Sequence, residues 1–216
     1  MRAYIITLIT DEYSVRAARR CRDSAVGIEP VLYPAISANE ARDMLERLEL
    51  QWTWGRGGAG MVHHSYGGND DARIGCALSH LMLWCVCYAL QEPIMVLEHD
   101  AVFVREFEPF EFDSICMIND PKKATPRWEY WRKKMISRGP GVWQKTVIFP
   151  DERPDGLAGN SAYVIKPHAA LSLVELVRKH GLWPNDAIMC RQLIPELQEH
   201  YPFITEVQAE RSTIQS

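Results

Sequence analysis

The chain has 216 residues, of which 47% are hydrophobic and 24% charged, and its formal net charge at pH 7 is −4. These values are ordinary for a soluble globular protein and fit a single domain, residues 1–216, that can bury a core. The N-terminal ten residues lack the features of a signal peptide, and the longest apolar run, 81–90, is too short to cross a bilayer. The sequence therefore predicts a cytoplasmic protein without a transmembrane segment.

Strands and helices are predicted to alternate along the chain. Apolar, often β-branched runs predict strands at 3–10, 31–33, 94–97, 101–104, 114–118, 161–165 and 203–207. Capping and stop residues predict helices between them at about 14–24, 39–50, 70–90, 127–137, 167–180 and 186–193. The expected N-caps are Ser14, Asn39 and either Asp70 or Asp71, with Pro167 as a first helical residue and Gly181 as a stop. One α/β domain accounts for this order.

The run that ends in Glu98-His99-Asp100 is the feature that points to chemistry. An apolar strand with carboxylates at its end presents them to a ligand in the crevice beyond the carboxyl ends of the strands. Because side chains alternate along an extended chain, Glu98 and Asp100 are expected to face one side together, which suits a divalent cation with oxygen ligands. The alternative is that both carboxylates merely end a strand at the surface.

Further polar residues near this run are candidates for the site. Arg16 and Arg19, on the helix after the first strand, could reach the phosphates of a nucleotide or could belong to a solvated helix face. Ser79 and His80 are polar exceptions on an otherwise apolar helix, so they need partners and could support the site. The glycine-rich segment 52–69, with its adjacent histidines His63 and His64, predicts a surface lid.

The six cysteines show no spacing that is typical of a metal site. Cys85 and Cys87 flank one residue inside an apolar run, where free cysteine behaves as a small buried hydrophobe. A zinc or redox centre built on cysteine is therefore not predicted.

Positive charge is concentrated in residues 121–145, which contain eight basic residues and a single acidic one. Such asymmetry suggests a polyanionic partner or a phosphate-bearing substrate. Aromatic residues are interleaved with the basic ones, a combination that suits stacking on bases or sugars together with phosphate contact. The candidate acceptor contacts are Arg127, Trp131, Lys133 and Lys134. The alternative is an amphipathic helix with its tryptophans inward and its lysines in water, and both can hold at once.

The block from Gly75 to Asp100 resembles glycosyltransferase family 25, which includes bacterial lipooligosaccharide galactosyltransferases and collagen galactosyltransferases. It contains Gly75-Cys76, Ser79-His80 and Trp84 on a helix, and then a strand that ends in an acidic triplet. Further segments match in the same order: 4–8 resembles the family's opening strand, 159–165 its G-T-x-A-Y-V-I strand, 184–186 its P-x-D element and 208–214 its tail. The likeness spans most of the chain.

The resemblance implies a GT-A fold, a Rossmann-like three-layer sandwich with a mainly parallel central sheet. It implies a nucleotide-sugar donor, UDP-glucose or UDP-galactose, with a donor-binding portion at about 1–105 and an acceptor-side portion at about 106–216. Asp100 and Glu98 would hold Mn²⁺ or Mg²⁺, which neutralises the diphosphate leaving group. The implied donor contacts are Thr7, Leu8, Arg16, Arg19, Ser79, His80, Glu98 and His99.

The family is regarded as inverting, which requires a base for the acceptor hydroxyl. Asp186 is the first candidate and Asp155 the second. His99 departs from the family, which usually has aspartate there, so it either weakens the metal site or is itself a ligand. The acceptor is expected to be a saccharide such as lipooligosaccharide, or hydroxymethylated DNA of the phage type. The alternative function is a non-catalytic module, derived from a glycosyltransferase, that binds a nucleotide sugar or nucleic acid.

Overall fold

The computed structural model describes residues 1–53, 69–124, 127–146, 157 and 159–208. His63, His64, Asp155 and the tail beyond Gln208 lie outside the described residues, so the predictions that fall on them stay predictions. The described chain forms a seven-stranded sheet, a two-stranded ribbon and six helices. The elements are β1 Arg2–Thr7, α1 Glu12–Ser24, β2 Pro30–Pro34, α2 Ala38–Arg47, α3 Asp70–Leu90, β3 Ile94–Glu98, β4 Ala101–Phe103, β5 Ile115–Met117, α4 Trp128–Arg138, β6 Gly141–Gln144, β7 Ala162–Ile165, α5 Pro167–His180, α6 Asn185–Ile188, β8 Leu197–Tyr201 and β9 Thr205–Val207.

The strand order of the main sheet is β2-β1-β3-β7-β5-β8-β6. Five strands run in one direction, and β7 and β6 run against their neighbours. In the parallel pair of β1 and β3, Ile6 lies opposite Glu98. The acidic end of β3 therefore emerges beside the end of β1, at the edge where parallel α/β sheets bind ligands. The α/β class and the mainly parallel sheet are confirmed.

Two hydrophobic clusters cover the two faces of the sheet. On one face α2, α3 and α5 pack over Ile94 and Val96 of β3. On the other face α1 and the β4–β9 ribbon pack over Met95 and Leu97. All four of these β3 residues are fully buried, which explains why the strand reads as an unbroken apolar run. The expected three-layer sandwich is confirmed. Both predicted portions, 1–105 and 106–216, contribute strands to the one sheet.

Helix starts differ from the sequence prediction in three cases. Ser14, Asn39 and Asp70 or Asp71 were wrong as N-caps, and the caps are Asp11 for α1, Ser37 for α2 and Asn69 for α3. Each true cap is a polar residue slightly earlier in the chain, in extended conformation. Pro167 at the start of α5 and Gly181 at its end are confirmed.

Helix α3 is the one helix in the described part of the chain that is long and apolar enough to cross a membrane. The prediction considered only the run 81–90, whereas the whole helix has 21 residues. More than half of its apolar window is buried against the fold (56%), as in the core helix of a soluble protein, so it does not establish a transmembrane segment. Cys87 is buried as expected, but Cys85 is exposed, contrary to prediction.

Candidate active site

Gly75 and Ser79 fix the segment after β2 against α3. The Ser79 hydroxyl accepts a hydrogen bond from the Ile36 amide at 2.9 Å and donates to the Gly75 carbonyl at 2.7 Å. A Cβ atom on Gly75 would lie 2.5 Å from the Ile36 carbonyl oxygen, so only glycine allows this approach. Ser79, predicted to contact the donor, is fully buried. Both hydrogen bonds of its hydroxyl are made within the protein, so Ser79 positions the helix.

One helix turn further along α3, a chain of hydrogen bonds leads to the acidic end of β3. The Trp84 indole N–H donates to the Tyr163 hydroxyl at 2.8 Å, and that hydroxyl lies 2.9 Å from Nδ1 of His80. The hydroxyl oxygen accepts from Trp84, and its one hydrogen can be donated to Nδ1; in that tautomer the imidazole hydrogen lies on Nε2. Nε2 lies 3.4 Å from Glu98 Oε1. This tautomer of His80 points an N–H at Glu98.

The imidazole of His80 is neutral in this setting, because complete burial lowers its pKa to about 3. Burial likewise raises the pKa of the Tyr163 hydroxyl well above its ordinary value, so the hydroxyl keeps its hydrogen. Both groups thus act as hydrogen-bond partners without a charge. They hold the Glu98 carboxylate in place without neutralising it.

Cys76 joins the same cluster from one turn earlier on α3. Its thiol lies 3.7 Å from Asn185 Oδ1 at the start of α6. The ligand atoms of Cys76, His80 and Glu98 all lie within 4.8 Å of one another, close enough to hold a metal ion. Cysteine spacing did not predict this group, because Cys76 is brought to Glu98 by the packing of α3 on the sheet.

The acidic triplet itself does not continue the strand. β3 ends at Glu98, and His99 and Asp100 form a turn before β4. The expectation that the two carboxylates face one side because the chain is extended was therefore wrong in its geometry. They remain close enough for the Glu98 charge to act on Asp100. Asp100 Oδ1 is buried and has no hydrogen-bond partner among the described residues.

Three carboxylates at this place have raised pKa values, and the charge of Glu98 contributes to two of them. Burial raises the pKa of Glu98 to about 7. Burial and then repulsion by Glu98 raise the pKa of both Asp100 and Asp186 to about 6. Asp186 nevertheless has an exposed surface, and the Glu98 side chain keeps 24% of its exposure, so solvent reaches both residues. The site is acidic, accessible and suited to a cation.

Gln208 fastens the turn from behind. Its main-chain N–H donates to the Asp100 carbonyl at 2.7 Å, and its side-chain amide donates to the carbonyls of Ala101 and Ala17 at 2.9 and 3.0 Å. Arg20 in turn donates to the Gln208 side-chain oxygen at 2.8 Å. The C-terminal segment thus connects α1 to the acidic turn.

The predicted donor contacts near β1 lie around the same crevice. The Thr7 hydroxyl is buried and donates to the Ile5 carbonyl at 2.8 Å, so it serves the strand. The Leu8 amide is likewise used, by the Ser14 hydroxyl. His99 lies against Tyr13, with 6.4 Å between ring centres, and burial lowers its pKa, which leaves it neutral.

Arg16 and Arg19 are exposed on α1. Arg16 lies 3.9 Å from Glu12, a contact between two exposed side chains that leaves the guanidinium available. The role predicted for these two arginines, binding a donor's phosphates, stays a prediction.

The predicted acceptor residues lie on α4 and at its N-cap, Arg127. Lys133, Lys134 and Arg127 are exposed. Trp131 is 7% exposed and lies under the Lys145 ammonium, which is 4.8 Å from the ring centre. Its ring therefore packs inside the protein and offers no face for stacking on a ligand. The amphipathic-helix alternative describes Trp131 correctly.

The structure adds residues to which sequence reasoning gave no role. Tyr163 and Trp84 orient His80, Cys76 and Asn185 line the cluster beneath Glu98, and the Ser161 carbonyl accepts from the Glu98 amide at 2.7 Å. Trp84 and Tyr163 were visible only as parts of family motifs. Their role depends on hydrogen bonds between α3 and β7, which no local pattern reveals.

Comparison with known families gives a class for this fold and site. Residues 70–189 match the model of glycosyltransferase family 25, described as LPS biosynthesis protein. The match covers more than half of the chain and contains α3, the acidic turn and Asp186. The protein is thus a glycosyltransferase. More specifically, the chain belongs to glycosyltransferase family 25, and the predicted resemblance is confirmed.

Other comparisons add little to the family match. No curated protein sequence matches the chain significantly. Among solved structures, A197 from STIV is similar over 100% of this chain and 99% of that chain, with 12% identity and a TM-score of 0.37. The apo form of mouse xyloside xylosyltransferase 1 is similar over 92% of this chain and 70% of that chain, with 14% identity and a TM-score of 0.38. The functional assignment rests on the family match.

Proposed function

We propose that this glycosyltransferase moves a hexose from UDP-glucose or UDP-galactose to an acceptor hydroxyl, at a cleft bordered by Glu98, Asp100 and Asp186. The observation that supports it most is the set of three carboxylates with raised pKa values, Glu98 and Asp100 at the end of β3 and Asp186 on α6. Such a cluster is unfavourable by itself, and the binding of a cation with its diphosphate ligand would relieve the repulsion.

Asp100 and Glu98 fit the divalent cation expected for this chemistry, Mn²⁺ or Mg²⁺. The buried Oδ1 of Asp100 lacks a partner among the described residues, and carboxylate oxygens are the ligands that both ions prefer. Such an ion, when bound, supplies charge neutralisation for the departing diphosphate. The hydrogen-bond chain from Trp84 keeps the Glu98 carboxylate oriented toward the cleft.

Cys76 and His80 are the alternative ligands, together with Glu98. Two features favour the carboxylates instead. Burial raises the pKa of the Cys76 thiol well above its ordinary value, which disfavours the thiolate that a metal needs. Both ring nitrogens of His80 already lie within hydrogen-bond distance of protein partners, Tyr163 and Glu98. We therefore assign Cys76 and His80 to support of the site.

Asp186 is the proposed base of an inverting reaction. It is exposed at the cleft, and with a pKa of about 6 it is ionised above pH 7 yet basic enough to accept the proton of the acceptor hydroxyl. Asp155, the second candidate, lies outside the described residues. Arg16 and Arg19 are proposed to contact the donor's phosphates from α1, and Arg127, Lys133 and Lys134 an anionic acceptor.

The acceptor is proposed to be a saccharide, in keeping with the LPS-biosynthesis family, and the setting cytoplasmic. Hydroxymethylated DNA is the second acceptor candidate, favoured by the exposed Lys133 and Lys134 on α4. The two acceptor candidates are independent of the proposed donor, because either acceptor can be refuted while UDP binding is retained.

The test combines calorimetry with UDP, with and without Mn²⁺, and turnover of UDP-hexoses. Asp100→Asn should abolish the Mn²⁺-dependent part of UDP binding, whereas Asp186→Asn should keep UDP binding and lose more than about 100-fold in transfer, the usual loss for a general base. Asp43→Asn, an exposed residue on α2, is the matched control. Full turnover in Asp100→Asn would refute the site. UDP binding without turnover of any UDP-hexose in the unmodified protein would instead establish the non-catalytic binding module.

A further inference from the structure

A second concave site lies between α4, the end of β6 and the residues that follow α6. It is a cavity of about 610 Å³, and the lining residues that matter here are Tyr130, Lys134, Arg138, Lys145, Thr146 and Arg191. Four of these six carry a positive charge. Among the described residues that line the cavity none is acidic, so their field favours an anion.

The two arginines are held in place through one residue, Gln144 at the end of β6. Arg138 Nη1 donates to the Gln144 carbonyl at 2.9 Å, and Arg191 Nη2 donates to the Gln144 side-chain oxygen at 3.0 Å. Among the described residues, neither arginine nor Lys134 has a carboxylate within ion-pair distance. The guanidinium groups are therefore oriented by neutral partners and keep their charge for a ligand.

Two buried polar atoms beside the cavity lack partners. Arg191 Nε and Thr146 Oγ1 are both buried without a hydrogen-bond partner in the described part of the chain, and Thr146 is only 5% exposed. Buried donors of this kind are nearly always hydrogen-bonded in folded proteins, so both atoms are suited to donate to the oxygens of a ligand in the cavity.

Lys145 lines the cavity, but its charge is used within the protein and is less available to a ligand. Its ammonium is buried, lies 3.4 Å from the equally buried Glu199 and donates to the Thr146 carbonyl at 2.9 Å. The Glu199 carboxylate also accepts from the Thr146 amide at 3.0 Å. This buried network fixes Thr146. Lys134, which lies 6.0 Å from the centre of the Tyr130 ring, Arg138 and Arg191 remain as the cations of the cavity without a carboxylate partner in the described part of the chain.

We propose that this cavity binds a phosphate monoester carried by the acceptor sugar, so that the enzyme glycosylates a phosphorylated saccharide. The proposal rests on the function proposed above. Arg191 follows Asp186 by five residues, which limits their separation to about 18 Å, a distance that an oligosaccharide spans. Tyr130 gives the rim an aromatic face of the kind that packs against sugar rings. Three cations gathered at one concave site suit a single doubly charged group better than the extended backbone of a nucleic acid.

The test is calorimetric titration of the whole protein, without divalent cations, using glucose 6-phosphate, glucose and inorganic phosphate. Glucose 6-phosphate should bind, glucose should not, and inorganic phosphate should bind at least tenfold more weakly because the rim contributes. Arg191→Gln and Lys134→Gln should each weaken glucose 6-phosphate at least tenfold, while Lys179→Gln, an exposed residue on α5, should leave it unchanged. Equal affinity for inorganic phosphate, or no effect of Arg191→Gln, would overturn the proposal.

A second arm separates this inference from the donor site and from nucleic acid. UDP binding with Mn²⁺ should persist in Arg191→Gln, because the two sites are separate. If the unmodified protein binds no UDP, the proposed function is refuted; if it binds UDP but not glucose 6-phosphate, the cavity proposal is refuted. Lys133 and Lys134 are neighbours on α4, but only Lys134 lines the cavity. A duplex oligonucleotide that binds with steep salt dependence and is weakened equally by Lys133→Gln and Lys134→Gln would overturn the phosphate-monoester proposal in favour of DNA.

Discussion

Replacing Glu98 by glutamine should make the metal-free protein more stable at pH 8 and inactive. Burial raises the pKa of Glu98 from 4.5 to about 7, so between these values the unfolded state releases the proton that the folded state retains. The ionisation of Glu98 therefore costs no stability below pH 4.5, lowers the free energy of unfolding as the pH rises, and has its full destabilising effect above pH 7. At 1.36 kcal/mol for each unit of pKa, the loss is about 3 kcal/mol. Glutamine does not titrate and so avoids it.

The measurement is thermal unfolding by circular dichroism in EDTA at several pH values. For a chain of this length, about 3 kcal/mol corresponds to a rise in Tm of roughly 6–12 °C at pH 8, shrinking to nothing near pH 4.5. Glu175→Gln, an exposed carboxylate on α5, serves as the control and should show no such pH dependence. Addition of Mn²⁺ should stabilise the unmodified protein and not the variant.

Two outcomes would refute the reasoning. A destabilised Glu98→Gln protein at pH 8 would mean that the contact with His80 outweighs the cost of the buried charge. A gain in stability that is equal at pH 4.5 and pH 8 would mean that ionisation is not its cause. In either case the ionised carboxylates would not destabilise the folded protein in the way that the proposed cation site requires.

Two further predictions concern the supports of the site. Gly75→Ala should destabilise the protein by about 1–2 kcal/mol in urea unfolding, because a Cβ 2.5 Å from the Ile36 carbonyl costs more than the helix propensity of alanine returns; an unchanged midpoint would show that α3 can move away from that segment. Tyr163→Phe should cost about 1–3 kcal/mol, because the buried Nδ1 of His80 and the Trp84 indole N–H both lose their hydrogen-bond partner. It should also lower turnover while leaving the Mn²⁺-dependent affinity for UDP nearly intact; unchanged turnover and stability would show that the hydrogen-bond chain does not support Glu98.

The parts of the fold that could be predicted are those whose burial is recorded in local sequence. β3 is apolar at each position from Ile94 to Leu97 because both faces are covered, so its run and its acidic end were visible. β8 was missed because its Gln198 and Glu199 are buried polar residues. Their partners, Asp113 and Lys145, lie more than fifty residues earlier. A polar strand of this kind has no local signature.

The candidate site was predictable to a similar extent. Glu98 was named from the apolar strand that it ends and Asp186 through a family motif, and the charge of Glu98 acts on Asp186. The extended geometry assumed for Glu98 and Asp100 failed because a turn at His99 replaces the strand. Trp131 was ambiguous in sequence, since an aromatic residue among lysines can stack on a ligand or anchor a helix, and only packing against Lys145 decides between the two.

The hydrogen bonds that Gln208 makes to the acidic turn can form only late in protein synthesis. This residue bonds to Ala17 across 191 positions of sequence and to the turn at Ala101 across 107. On the ribosome, β1, α1 and β3 emerge long before it, so a nascent chain carries its carboxylates on an unfastened turn. The turn acquires these hydrogen bonds only when residue 208 has been translated. Chains that stop before residue 208 are therefore expected to fold with a loosely held acidic turn.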